Sequence, residues 1–148
     1  MPFVAYNRTR LSDLVQNELD PAVGFSRQDI NLTPAGEVTM GAVAFRAKDS
    51  ANTKDTPYAL LTSADDLVNT NEFAIVFGNE YSCKDAFTPR AIAANQFNAV
   101  AFVGKNGALI LKERLVKEYA LGAGLEESEF EVLRELLKSQ GIILETTL

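Results

Sequence analysis

The sequence predicts an α+β, mainly β fold: a compact single domain of short strands with one C-terminal helix and an extended N-terminal arm. Three observations carry this expectation. Most apolar residues lie in short runs bounded by Gly, Pro, Asn or Asp, which is the pattern of strands between turns. Only the stretch near residues 126–140 sustains helical spacing of its apolar residues. At 148 residues, 47% hydrophobic and 23% charged, the chain has the size and composition of one soluble domain with a proper core, and it shows no repeat, low-complexity tract or dividing linker.

Residues 1–10 mix apolar Phe3, Val4 and Tyr6 with basic Arg8 and Arg10. They are too few to make a core element and read as an arm, which leaves residues 11–148 as the domain. LSDLVQNELDP (11–21) predicts a short helix, with Ser12 as N-cap, Leu11, Leu14, Val15 and Leu19 at helical spacing, and Pro21 as its stop. A polar segment around Ser26, Arg27 and Gln28 leads to a turn at Pro34-Ala35-Gly36. A strand from Val38 to Phe45 follows, in which Gly41 marks a bulge or a close backbone approach. DSANTKDTP (49–57) reads as a surface loop and YALLTS (58–63) as a short strand.

Phe73 to Phe77 is continuously apolar, as in a strand buried on both faces, and Gly78-Asn79 ends it. Apolar runs on either side of Gly104-Lys105-Asn106-Gly107 predict a hairpin, because Asn-Gly suits the positive φ angles of a tight turn. Gly122-Ala123-Gly124 then breaks the chain before the predicted helix. There Phe130, Leu133 and Leu137, with Leu136 beside them, form one apolar stripe expected to pack on the sheet. Glu126, Glu127 and Glu129 suit the positive end of its dipole, Ser128 and Glu131 fit a capping box, and Gly141 fits the C′ position. Ile142 to Leu144 reads as a final strand.

Composition narrows function. The chain has no histidine, which removes His-based general bases, Ser-His-Asp and Cys-His catalysis, and most catalytic zinc sites. A single cysteine, Cys83, forms no intramolecular disulfide and fits synthesis in a reducing cytoplasm. No apolar run approaches the ~20 residues of a bilayer span. MPFVAYNRTRLSDL also lacks the apolar segment of a signal peptide, so a soluble chain not exported by that route is expected, with no membrane partner. A net charge of −6 without clustered basic residues argues against nucleic acid as a partner.

The residues that carry reactive groups have ordinary readings. Cys83 has only Lys84 beside it in sequence to lower a thiol pKa, and reads as structural. Asp65-Asp66 and Glu126-Glu127 are adjacent pairs whose side chains diverge, which suits surface charge better than a shared proton or cation. Gly122-Ala123-Gly124 lacks the third glycine and the lysine-hydroxyl pair of a phosphate loop and reads as a turn. No cofactor or metal is expected. The arm stands apart: Phe3, Val4 and Tyr6 have no obvious core to join, which leaves contact with another molecule or an unstructured tail.

From Leu11 to Leu144 the order of these features resembles the lambda-type bacteriophage head decoration (capsid cement) proteins. The matching pieces are LSDLVQNELDP, FSRQDINLT with its Ser26-Arg27 pair, GEVTMGAVAFRA, PYALLT, FAIVFG, NAVAFVGKNGALIL, and a helix closing into KSQGIIL. YSCKDAFTPRAIAANQ (81–96) and the NTKDTP loop depart from the compact pattern. The resemblance implies a non-enzymatic virion protein. Such a protein is made in the host cytoplasm and binds the outer surface of the expanded capsid as a homotrimer, at three-fold and quasi-three-fold positions. Its partner would be the major capsid protein, and its task to stabilise the head against internal DNA pressure. Phe3, Val4, Tyr6, Arg8 and Arg10 would be the capsid-binding arm, adding a strand to a capsid-protein sheet edge. The alternatives are another phage virion or head-completion component, or a small carboxylate-dependent glycan-cleaving enzyme.

Overall fold

The computed structural model describes residues 11–18, 26–33, 37–48, 57–79, 82–83, 86–87, 98–103 and 109–146. Among these the fold is α+β and mainly β, as the sequence predicts. In chain order the strands are β1 (Val15–Glu18), β2 (Arg27–Ile30), β3 (Val38–Thr39), β4 (Ala42–Ala47), β5 (Ala59–Leu60), β6 (Asn71–Asn79), β7 (Ser82–Cys83), β8 (Ala86–Phe87), β9 (Ala99–Phe102) and β10 (Leu109–Lys112). Helices α1 (Glu113–Gly122) and α2 (Glu127–Ser139) and the last strand, β11 (Ile142–Glu145), complete the order.

The main sheet runs β2-β9-β6-β4-β5, every neighbouring pair antiparallel, with β7 on the end of β6. Its two edges meet just beyond β2 and β5. Leu32 and Tyr58 form a parallel bridge, in which Tyr58 N–H donates to Asn31 O at 2.8 Å and Thr33 N–H donates to Tyr58 O at 2.9 Å. On the opposite side of Leu32, the Asn98 side chain completes the pairing. Its Nδ2 donates to Leu32 O and its Oδ1 accepts from Leu32 N–H, both at 2.7 Å. With the backbone groups of Leu32 and Tyr58 engaged in this way, the sheet closes into a small barrel. Ile30, Leu32, Ala42, Ala44, Ala74, Val76, Ala99, Ala101 and Val103 fill the interior. Alanine dominates because a barrel of so few strands leaves little room inside.

Alternate residues of the same strands point outward and are larger: Val43, Phe73, Ile75, Phe77 and Phe102. A second layer covers them, made of α1, α2 and the sheet β1-β10-β11. In that sheet β10 is antiparallel to β1 and parallel to β11, and the α1-α2 pair supplies the crossover that a parallel pair requires. Leu115, Val116 and Ala120 of α1 and Phe130, Leu133 and Leu137 of α2 are buried, so the apolar stripe of α2 packs as expected. Gly41 explains how closely α1 sits on the barrel. Its φ is +93°, and a Cβ there would lie 2.8 Å from Leu115 Cβ, so a close backbone approach is what this glycine permits.

Four expectations are corrected. The helix expected over 11–21 is one 3₁₀ turn, Leu11–Asp13, followed by β1. Lys112 N–H donates to Leu14 O, and pairing with β10 captures the segment before a second helical turn forms. The strand expected over 38–45 is split at Met40-Gly41 into β3 and β4, which join different sheets. The expected hairpin does not form, since β9 pairs with β2 and β6 while β10 pairs with β1 and β11. Both faces of β9 are buried only inside the main sheet, and this outweighs the local turn preference of Asn106-Gly107, which lies outside the described residues. Finally, a helix that was not expected precedes the predicted C-terminal one. Glu113–Gly122 follows directly on β10, and α2 takes its capping box from Glu126 and Glu129, not Ser128 and Glu131. The Pro34-Ala35-Gly36 turn and most of the 49–57 loop fall outside the described residues.

Candidate functional site

The arm residues Phe3, Val4, Tyr6, Arg8 and Arg10 lie outside the described residues. The chain enters the described fold through the 3₁₀ turn Leu11–Asp13 and then β1, which Arg27 of β2 fastens to the barrel. Arg27 donates from Nε and Nη2 to the two carboxylate oxygens of Glu18, each at 2.8 Å. Its guanidinium also lies over the rings of Phe77 and Phe102, 5.3 and 5.5 Å from their centroids, and those rings stack on each other at 4.4 Å. A two-point charged hydrogen bond combined with a planar stack is a geometry that arginine makes and lysine does not. Ser26, beside it, is wholly buried. Of the Ser26-Arg27 pair, Arg27 thus has a structural task at the junction of the two sheets.

A second charged pair sits inside the barrel. Arg46 of β4 is the direct cross-strand partner of Glu72 of β6, both are buried, and Arg46 Nε donates to Glu72 Oε1. The guanidinium also lies over the ring of Tyr58, 4.4 Å from its centroid, so the group at the closing seam carries a cation-π contact as well. Burial, and then the Glu72 charge, push the Tyr58 hydroxyl well above the ordinary tyrosine range and keep it protonated.

The third arginine joins the helices to the last strand. Arg134 of α2 donates to Glu113 of α1, to Glu131 at 3.0 Å and to the carbonyl of Leu144 at 2.6 Å, and it lies over the Phe130 ring. The hydrogen bond from Arg134 holds the Glu113 carboxyl below its usual range. Two side chains extend the same network of junctions. The Gln140 amide donates to Phe73 O at 2.8 Å and accepts from Phe73 N–H at 2.7 Å, tying the end of α2 to β6. Tyr119 of α1 donates to Leu61 O at 2.8 Å, and burial pushes its hydroxyl up to about 12.

The other residues singled out in the sequence are not brought together. Asp65 and Asp66 form a 3₁₀ turn capped by Ser63, while Glu126 caps α2 and Glu127 lies 3.7 Å from Lys117. Of Gly122-Ala123-Gly124, the first residue ends α1 and the other two form the turn to α2. Cys83 lies in β7, paired with Gly78, and its side chain is outside the described residues. Among the described residues no three His, Cys, Asp or Glu side chains are grouped to hold a metal ion. The arginine junctions were missed, although Arg46 in AVAFRA and Glu72 in NEFAIVF are opposite charges inside two otherwise apolar runs, a signal for a buried pair. In comparison with known proteins, no family model, curated protein or solved structure matches the chain.

Proposed function

We propose that this chain is a viral structural protein that binds the outer surface of an expanded phage capsid and stabilises it against internal DNA pressure. The order of sequence features from Leu11 to Leu144, which resembles the lambda-type decoration proteins, carries the reading. The physical character of the domain supports it. Three arginine junctions and a closed barrel make a stiff body in which the described internal charges are neutralised by one another. Such a body suits a clamp better than a machine that must move. Binding is assigned to residues 1–10, where Phe3, Val4 and Tyr6 would bury apolar surface along a capsid-protein strand and Arg8 and Arg10 would meet its carboxylates. Trimers on the shell follow from the same resemblance. Another virion or head-completion role shares most of these features. No observation favours the glycan-cleaving alternative, since the buried carboxylates of Glu18 and Glu72 are each engaged by an arginine.

Co-sedimentation of the purified chain with expanded, undecorated capsids and with unexpanded procapsids tests the proposal. Binding to the expanded shell alone is expected. Equal binding to both, or to neither, would contradict it, and a capsid map with isolated single copies away from three-fold positions would remove the trimer.

A further inference from the structure

We propose that Arg134 plugs a strand edge through which this chain would otherwise pair with a second copy of itself. Among the described residues β11 is the outermost strand of its sheet, and an unpaired strand edge is a template for another strand. Which groups point outward follows from the register. Leu109 N–H donates to Gly141 O at 3.1 Å, so the Gly141 carbonyl and the backbone groups of Ile143 and Glu145 turn toward β10, and those of Ile142 and Leu144 turn to the free edge. Arg134 sits on that edge, with Nη1 donating to Leu144 O at 2.6 Å. Its guanidinium is held from the other side by Glu113 and Glu131, and from below by the Phe130 ring. A fixed charge in the middle of so short an edge leaves no room for an incoming backbone.

The occupant excluded is a second copy of β11, because the strand is complementary to itself. In an antiparallel pair centred on Ile143, the outward-turned groups of Ile142 in one copy meet those of Leu144 in the other. Glu145 then faces Gly141, so no like charges stand opposite each other. The two Ile143 side chains, each 41% exposed in the single chain, face one another on the outer surface of the joined sheet. Removing the plug therefore uncovers hydrogen-bonding groups and an apolar contact together.

Sedimentation velocity tests this, with far-UV circular dichroism and a cooperative melt to establish folding. Arg134→Met keeps an apolar stem over Phe130 and removes the donor. It is expected to self-associate at least tenfold more tightly than the unaltered chain, a change of about 1.4 kcal/mol, with the Ile142 and Leu144 amides newly protected from hydrogen exchange. Glu113→Gln combined with Glu131→Gln keeps Arg134 but removes the carboxylates that hold it, and is expected to show the same change more weakly. A folded variant of either kind that sediments as the unaltered chain does over the same concentrations overturns the proposal. Association that leaves the Ile142 and Leu144 amides unprotected overturns it equally.

Discussion

The inside of the barrel and the layer outside it are lined by the same strands, yet they are filled in opposite ways. β4, β6 and β9 turn Ala42, Ala44, Ala74, Ala99 and Ala101 inward, and Val43, Phe73, Ile75, Phe77 and Phe102 outward. Both sets are buried, so the period-two alternation of these strands is small against large rather than polar against apolar. The available space accounts for the difference. Closure fixes the barrel at a narrow bore, whereas the helices and the second sheet stand far enough away to need long side chains between them. The barrel also buries an ion pair at its seam, while the outer layer places its arginine junctions at its margins.

The largest effect expected from breaking this contrast is at the seam. Glu72→Leu leaves Arg46 charged in the barrel and is expected to cost about 3 to 5 kcal/mol in denaturant unfolding. Adding Arg46→Met should recover much of that loss, and a double variant no more stable than Glu72→Leu would show that the charge is not the cause. Next comes the outer layer, where Leu133→Ala removes a wholly buried side chain and is expected to cost about 2 to 5 kcal/mol. A change within about 0.5 kcal/mol would place Leu133 on the surface instead. Inside the barrel the sensitive direction reverses, and Ala44→Leu is expected to cost about 1 to 3 kcal/mol by overpacking. An Ala44→Leu variant as stable as the unaltered chain would mean the bore is wider than its alanines imply.

The smallest effect concerns pH. The Glu113 carboxyl titrates below its usual range because Arg134 donates to it. Its contribution to stability is therefore complete above the ordinary carboxylate value and is lost as pH falls through the lower, folded value. Glu113→Gln should flatten the acid side of the stability profile and leave the neutral and alkaline sides parallel to the unaltered chain. An unchanged acid limb would show that the bond is not maintained in solution.

Much of this architecture is legible in the sequence. The continuous run from Phe73 to Phe77 announced a strand buried on both faces, and the Phe130, Leu133 and Leu137 stripe announced α2. Barrel closure is not legible, because it depends on Asn98 and Tyr58 meeting Leu32 across distant parts of the chain. α1 was hidden for a different reason. Its first apolar residues, Leu115 and Val116, follow so soon after Leu109 and Leu111 that a strand and a helix read as one apolar segment. The failed hairpin has a similar lesson, since a favourable turn pair cannot hold together two strands whose faces are needed in separate sheets. Of the candidate site, the composition of residues 1–10 was legible, whereas the tasks of Arg27, Arg46 and Arg134 depend on partners that only folding brings near.

The central claim is that a rigid domain carries a separate binding segment at its N-terminus. Comparing the full chain with a chain lacking residues 1–10, by thermal melting and by binding to expanded capsids, tests it most directly. The account predicts little change in melting temperature and at least tenfold weaker binding, about 1.4 kcal/mol. Equal binding by the two chains would contradict it and move the contact onto the globular domain.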